Sequence, residues 1–564
     1  MTTTFLMCVA VLLGDTASTE KTPNSYEKFG PLTADCLAEN QPIDQIVFAR
    51  LAAAKIQPVL CSDAVFVRRV YLDVIGMLPT AEEARQFIQD PDTQNKRQRL
   101  IDRLLTRDEF AQYWSMKWGD LLRIKAEFPI NLWPNAAQAY HRWVLESIAE
   151  NKPYNKFARE LLTSSGSNFR VGPVNFYRAI SNRTPEGIAS AVALTFMGVR
   201  TDAWPQERLA GMAAFFSQVG YKPTREWKEE NVFWDPLKVS PSIPEAVPEP
   251  MRTTPAPAPV VAPLRHNPKF TAIFPDGTTV QLLSDRDPRE VFADWLISPQ
   301  NPWFTRNIVN RVWAWLMGRG IIHEPDDIRD DNPPSHPALL AYLEKEMIAG
   351  QYNMKHLYRL ILNSKTYQLS SISHSKSPGA WDQAQAEVLF ANYPLRRLEA
   401  EVLIDAINQI TGTSDLYTSA IPEPFTYIPA DMPAVAIADG SITSPFLTLF
   451  GRSARATGME NERPSKPVPA QWLHMLNSSH IQRKLESGPK LIALFDKSDD
   501  LGAKIEELYL MILSRFPTAD EMKNVREYGG QPAATQKKGK GKGRHDWVDI
   551  TWALINNPEF LYRH

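Results

Sequence analysis

Apolar side chains recur at helical spacing over most of this chain. The first instance lies in residues 43–56, where Ile46, Val47, Leu51 and Ala54 fall on one face of a helix. The same period returns in many segments, which Pro, Gly and polar residues separate. It predicts further helices over residues 65–76, from residue 80, and over 96–105, 110–125, 138–149, 157–163, 185–196, 288–297, 302–317, 337–349, 354–362, 396–410, 469–476, 503–513 and 545–555. We therefore predict a mainly α protein.

An alternating pattern typical of strands stands out at one place. The runs 271–274 and 279–283 flank the turn residues Pro275, Asp276 and Gly277, which predicts a small β-hairpin. No comparable alternating run occurs in the first half of the sequence.

Proline marks the predicted domain boundary. Eight prolines lie between residues 241 and 263, and such a stretch cannot form a helix because each proline lacks an amide hydrogen. A chain of 564 residues is also longer than one hydrophobic core usually serves. We predict two linked helical domains, residues 31–237 and 269–564, joined by a Pro-rich linker over 238–268.

The first residues have the features of an export signal. The apolar run 5–13 is too short to cross a bilayer but has the length of a signal-peptide core, so residues 1–20 are a predicted signal peptide. No later apolar run is long enough to predict a membrane span in the mature chain. These features predict an extracytoplasmic location, either periplasmic or secreted.

Cysteine usage depends on that location. Removal of the signal leaves Cys36 and Cys61, and an even pair in an oxidising compartment predicts one disulfide. Two reduced, buried thiols are the alternative if the protein is cytosolic. The 62 basic and 64 acidic residues nearly balance, which gives no general reason to expect nucleic acid as a partner.

Several segments resemble a known pair of domains. They are residues 67–80, 114–122 and 151–154 before the linker, and 301–304, 309–313, 318–320, 333–337, 396–400 and 557–564 after it. They are similar to the planctomycete cytochrome-like domain of the second type and to the planctomycete-specific domain that follows it. The resemblance runs from about Ile43 to the last residue. The function of this family is unknown, so the resemblance implies a fold and not an activity.

One departure from the family pattern bears on cofactors. Relatives commonly continue a Phe-Leu-Gly-Val-Arg stretch into a Cys-x-x-Cys-His haem motif, whereas here residues 196–200 continue into 201–209 without cysteine or histidine. Covalent haem attachment needs both thiols, and the adjoining histidine binds the iron. The resemblance therefore implies a family member without covalent haem, and we predict no cofactor.

The densest polar cluster is the loop 323–336, between two predicted helices. Its carboxylates and imidazoles are groups that bind divalent cations or act as general acids and bases, although their spacing fits no recognised ligand pattern. The alternative is a structural loop, in which Arg311, Arg319 and Arg329 balance the acids and Ser335 or Asn332 caps the next helix. The candidate binding site comprises Arg311, Asp326, Asp327, Asp331, Asn332, Ser335 and His336, of which Asp326, Asp327, Asp331 and His336 are the candidate metal ligands.

Aromatic residues form a secondary candidate. The chain has 15 tryptophans, and Trp118, Trp133, His141 and Trp143 occur among polar residues, an association that is found in sugar-binding sites. The alternative is a tryptophan-rich core between helices.

These patterns favour an exported helical scaffold or binding protein without enzymatic activity, whose partner is another envelope protein or a polysaccharide. The alternatives are an extracytoplasmic carbohydrate hydrolase acting through loop 323–336 and an accessory protein of electron transfer. The sequence contains no dinucleotide fingerprint, no His-Glu-x-x-His and no Gly-x-Ser-x-Gly.

Overall fold

The computed structural model describes residues 41–238, 269–372, 383–464, 466–496, 500–530 and 544–564. The predicted signal peptide, Cys36 and nearly all of the predicted linker lie outside these residues. The helices are α1 Pro42–Ala53, α2 Asp63–Val74, α3 Ala81–Gln89, α4 Lys96–Leu104, α5 Asp108–Leu121, α6 Pro134–Ala149, α7 Tyr154–Thr163, α8 Asn175–Arg178, α9 Pro185–Val192, α10 Gln206–Ala213, α11 Pro288–Leu296, α12 Phe304–Met317, α13 Pro337–Ala349, α14 Met354–Leu362, α15 Gln383–Val388, α16 Ala400–Thr411, α17 Pro445–Leu449, α18 Pro469–Asn477, α19 Ser479–Ser487, α20 Pro489–Asp496, α21 Leu501–Leu513, α22 Ala519–Gly530, α23 Arg544–Ile555 and α24 Pro558–Leu561.

The prediction of a mainly α protein is confirmed. Local signals explain many helix starts: Thr80 and Glu83 form the predicted capping box at α3, and Ser62 accepts a hydrogen bond from the Val65 amide at α2. Proline occupies the first position of α1, α6, α9, α11 and α13, where its missing amide hydrogen costs no helical hydrogen bond.

The strands are short. They are β1 Gly166–Ser167, β2 Val219–Pro223, β3 Glu230–Trp234, β4 Lys269–Ile273, β5 Thr279–Leu283, β6 Arg396–Arg397 and β7 Tyr562–Arg563. The hairpin expected after the linker is present, because β4 pairs antiparallel with β5 and Gly277 adopts φ 89° at the turn.

The sequence contains incomplete signals for two strand regions. The first half contains a three-stranded antiparallel sheet in the order β1–β3–β2, where no alternating run stood out. No turn signal such as Pro275-Asp276-Gly277 joins β2 to β3, and β1 pairs with β3 from more than 60 residues away. The helix predicted from Arg396 begins instead at Ala400, because Arg396 and Arg397 pair with β7 across a gap of more than 160 residues.

The two predicted domains share one hydrophobic core. Helix α1 packs on α13, α3 on α21, and α7 on α11, so helices from before the linker contact helices from after it. The core cluster of buried residues is continuous through both segments. In the described residues, no helix is both long and apolar enough to cross a membrane.

Candidate functional site

Asp326 anchors the acidic loop 323–336 inside the protein. Its Oδ1 accepts a hydrogen bond from Arg311 Nη2 at 2.8 Å, and its Oδ2 accepts one from the Glu460 amide at 2.6 Å. The side chains of Arg311 and Asp326 are 1% and 2% exposed, so the pair is buried and hydrogen-bonded. Such pairing fixes the loop to α12 and to the segment around Glu460.

The remaining polar side chains of the loop bond mainly within it. Arg329 Nε lies 3.2 Å from Asp327 Oδ1 and 3.4 Å from Asp331 Oδ1. Asn332 Nδ2 donates to the carbonyls of His323 and Asp327, at 3.0 and 2.8 Å.

The predicted caps of α13 bond elsewhere. Ser335 Oγ donates to the Ile321 carbonyl at 3.0 Å, and Asn332 bonds inside the loop. The capping expectation was therefore wrong: His336 occupies the N-cap position of α13 and its side chain makes no cap hydrogen bond.

His336 lies apart from the exposed acids. It is buried, and its ring centroid is 5.2 Å from that of Phe390. Burial, and after it the charge of Arg50, lowers the pKa of His336 to about 4, so the ring is neutral near pH 7. Within the described ranges, no three His, Cys, Asp or Glu side chains are grouped so that they could hold a metal ion.

The loop packs on the stretch 196–200, which immediately precedes residues 201–209. The Ile328 amide donates to the Gly198 carbonyl at 2.9 Å, and Arg200 pairs with Glu324 at 3.2 Å. Gly198 adopts φ 65°, and a Cβ there would lie 2.6 Å from Asn307 Oδ1. Close packing of the loop therefore requires glycine at this position.

A second set of buried charges joins the segments before and after the linker. Asp120 accepts hydrogen bonds from Arg455 Nε at 2.9 Å and from Arg463 Nε at 2.7 Å. Arg463 also forms a bidentate pair with Glu401, at 2.7 and 2.9 Å. Burial alone would raise the pKa of Glu401, but the charges of Arg463 and Arg452 outweigh burial and hold it at about 2.

A small polar cleft lies beside these charges. Its lining includes Lys117, Asp120, Ser453, Glu460 and Arg463. Lys117 Nζ lies 2.5 Å from Glu399 Oε1, and the Trp315 indole donates to Glu460 Oε2 at 3.0 Å. Burial raises the pKa of Glu460 above its usual value.

Sequence reasoning missed the Glu401, Glu460, Arg455 and Arg463 groups. The sequence offers one signal for this charged cluster: arginine recurs in the stretch 452–463, which forms no α-helix.

Two of the secondary candidates belong to an aromatic core. Trp118 is 4% exposed, and its ring centroid lies 5.1 Å from that of Phe157 and 5.8 Å from that of Tyr154. Trp143 stacks on Phe157 at 4.7 Å and donates to Glu160 Oε2 at 3.0 Å. Trp118 and Phe157 also border a cavity of about 30 Å³, which has room for one or two water molecules.

His141 is also buried. Its Nε2 lies 3.3 Å from Ser115 Oγ. Burial lowers the pKa of His141 to about 3, so the ring is neutral near pH 7.

Trp133 has a different environment, at the surface. It adopts φ 74°, and its ring centroid lies 5.4 Å from that of Phe425. Phe128, in the same loop as Trp133, is 85% exposed, Phe425 is 51% exposed and Tyr427 is 73% exposed. The aromatic platform below denotes Phe128, Trp133, Phe425 and Tyr427. Trp133, which is half-buried, contacts Phe425, and Phe128 and Tyr427 lie in the same two loops.

Hydrogen bonds hold the two loops of the platform together. The Ala126 amide donates to Asp439 Oδ1 at 2.8 Å, and the Glu127 amide donates to Ser441 Oγ at 2.9 Å. The Ala420 amide donates to Glu127 Oε1 at 3.2 Å. The surface is therefore built jointly from the segments on either side of the linker.

Two family models match the chain, in order. PSCyt2, a protein of unknown function (DUF1549), matches residues 42–220, and PSD1, a protein of unknown function (DUF1553), matches residues 288–529. Both matches fall inside the predicted domain bounds. No curated protein and no solved structure matches the chain.

Proposed function

The chain belongs to the proteins in which a PSCyt2 domain precedes a PSD1 domain, and we propose that this member is an exported, haem-less binding protein for a polysaccharide. Both domains are of unknown function, so membership names no ligand. The aromatic platform carries the proposal, because it presents exposed rings on loops that hydrogen bonds fix in place.

The chemistry of the platform suits sugar rings. Aromatic faces pack against the C–H face of a pyranose, while adjacent polar groups bond its hydroxyls. Tyr427 supplies a hydroxyl, and the exposed Asn131 supplies an amide in the same loop as Trp133. Trp133 also holds a backbone conformation that costs about 1–3 kcal/mol for a residue other than glycine, and such strain concentrates at ligand sites.

The proposed absence of enzymatic activity is supported by the bonding of the acidic loop. Asp326 is buried against Arg311, and Asp327 and Asp331 pair with Arg329. A hydrolase remains a second candidate because the polar cleft contains Glu460, whose raised pKa suits a general acid, next to Asp120. Asp326 would then position Glu460 through the hydrogen bond to its amide.

Affinity electrophoresis tests the binding proposal. The protein is run through gels containing soluble polysaccharides of different sugars and charge, and retardation by at least one polymer is expected. Trp133→Ala and Phe425→Ala each remove one ring of the contacting pair and should weaken the retardation about tenfold or more.

Trp227→Ala is the matched control. Trp227 is 70% exposed but lies outside the platform, so its removal should leave retardation unchanged. Retardation by none of the polymers, or equal retardation of the Trp133→Ala protein, overturns the proposal. Release of reducing ends that is abolished by Glu460→Gln would favour the hydrolase instead.

An absorbance spectrum tests the haem-less part of the proposal. Protein purified after expression with a cytochrome maturation system should show no Soret band. A Soret band that survives denaturation would contradict it, because only covalently attached haem stays with an unfolded chain.

A further inference from the structure

Two histidines face each other where α18 meets α19. His474 Nε2 lies 3.5 Å from His480 Nδ1, and the ring centroids are 5.7 Å apart with the planes inclined by 62°. Both side chains are half-buried, so one side of the pair is open to solvent. Neither residue belongs to the aromatic platform, the polar cleft or the acidic loop.

A carboxylate orients one ring of the pair. Asp415 Oδ1 accepts a hydrogen bond from His480 Nε2 at 2.7 Å. This bond places the ring proton on Nε2 and leaves the lone pair of Nδ1 directed at His474. Asp415 is itself held by Lys484, whose Nζ lies 3.3 Å away. Histidines that bind metals commonly donate their second ring N–H to a carboxylate in this way.

Apolar rings form the wall behind the pair. The Phe446 centroid lies 5.6 Å from that of His474 and 5.9 Å from that of His480, both in edge-on geometry. These rings shield one side of the pair and leave the opposite side open.

We propose that His474 and His480 bind one Zn²⁺ ion, with Asp415 as the residue that orients His480. Two nitrogens bound to one tetrahedral Zn²⁺ at about 2.0–2.1 Å lie roughly 3.3–3.4 Å apart, close to the separation seen here. The Nε2–H···Nδ1 contact between the rings would give way to the metal: neutral His474 would shift its one ring proton from Nε2 to Nδ1, so that Nε2 offers its lone pair to Zn²⁺.

The site supplies two protein ligands. No third His, Cys, Asp or Glu side chain completes a group in the part of the chain that the structure describes. The other coordination positions therefore go to water or to a donor group on a bound molecule, as in sites that keep positions open. Imidazole ligands favour Zn²⁺, Cu²⁺ and Ni²⁺ over Ca²⁺ and Mg²⁺, which prefer oxygen.

Calorimetric titration of the full chain with ZnCl₂, after removal of metals by a chelator, tests this inference. One Zn²⁺ per chain is expected to bind, and MgCl₂ should give no comparable signal. His474→Gln and His480→Gln should each lower the affinity at least tenfold, and the double variant should lose binding. Asp415→Asn should lower the affinity roughly 10–100-fold, since it removes the orienting carboxylate but no ligand.

His356→Gln is the control variant. His356 also lies near a carboxylate, with Nε2 3.7 Å from Glu346 Oε2, and it is not one of the two proposed ligands. It should bind Zn²⁺ like the unchanged protein. Circular dichroism establishes that each variant is folded. In a Cu²⁺ electron paramagnetic resonance spectrum, nitrogen hyperfine structure would identify the histidine nitrogens as ligands. Absence of binding, or binding that persists in the folded double variant, overturns the proposal.

Discussion

Arg563 Nη1 donates a hydrogen bond to Asp73 Oδ1 at 3.0 Å, across 490 residues of chain. The other oxygen of Asp73 accepts hydrogen bonds from the hydroxyls of Tyr367 and Tyr393, both at 2.8 Å. Asp73 is fully buried and Arg563 is 2% exposed. A carboxylate in α2 is thus satisfied entirely by residues that follow the predicted linker, which ties the two segments into one folded unit.

Removal of the Asp73 charge should destabilise the whole protein. Asp73→Ala removes the carboxylate that accepts hydrogen bonds from Arg563, Tyr367 and Tyr393. Glu399 still pairs with Arg563, but the loss of these buried bonds should cost about 3–5 kcal/mol in the free energy of unfolding. Urea unfolding followed by circular dichroism measures the change. Lys523→Ala breaks an exposed pair, 3.9 Å from Glu527, and should cost at most about 0.5 kcal/mol. Equal effects of the two substitutions would show that the Asp73 pair does not hold the segments together.

In the acidic loop, Asp326 should be needed for stability, whereas Asp331 should not. Asp326→Ala removes the hydrogen-bonded partner of the buried Arg311 and leaves it only Glu460, at 3.9 Å. We expect a loss of about 3–5 kcal/mol in the free energy of unfolding. The Asp331 side chain is 74% exposed, so Asp331→Ala should change that free energy by less than about 0.5 kcal/mol. Differential scanning calorimetry compares the two variants. If Asp326→Ala does not lower the free energy of unfolding, Asp326 has no structural role, and it would again be a candidate binding residue.

The helical part of the fold could be predicted because its signals are local. The observed bounds of α13 and α14 are those that periodicity and the flanking proline predict. Trp114 and Trp118 share a helical face, and both lie in the core. The predicted and observed helices agree because helix signals depend on residues that lie within a few positions of each other in the sequence.

The long-range contacts could not be predicted, because they join residues that lie far apart in the sequence. Nothing near Asp73 or Arg563 in the sequence indicates that the two side chains meet. The rings of Trp133 and Phe425 are in contact although almost 300 residues separate them, so the exposure of the platform depends on how two irregular loops pack. Trp118 and Trp133 both carried the same hypothesis from sequence, and only the fold separates a core residue from a surface one.

Asp405 should give the protein a distinct pH dependence. Burial raises the pKa of Asp405 to about 7, although the amides of Ala434 and Val435 donate to its two oxygens at 2.8 and 3.0 Å and oppose the rise. Between about pH 4 and pH 7 the carboxyl stays protonated in the folded state while it ionises in the unfolded state. The folded state therefore binds more protons, and stability falls as pH rises through this window, by up to about 1.4 kcal/mol per pH unit.

Unfolding by urea at pH 5, 6, 7 and 8 measures this dependence. Asp405→Asn removes the titrating group and should flatten the decline between pH 5 and pH 7, whereas Asp520→Asn, at an exposed position, should leave it unchanged. An identical decline in the Asp405→Asn protein would mean that other groups cause it.

Trp118 should behave as a core residue and not as a sugar-binding residue. It is 4% exposed and packs among Tyr154, Phe157 and Trp315, so Trp118→Ala should cost about 3–5 kcal/mol in the free energy of unfolding. Trp227→Ala removes a ring that is 70% exposed and should change that free energy by about 0.5 kcal/mol or less. Trp118→Phe keeps most of the packing, so the folded variant should be retarded by polysaccharide as strongly as the unchanged protein. If Trp118→Phe weakens the retardation while stability is unchanged, the binding surface lies at the cavity beside Trp118 and not at the platform.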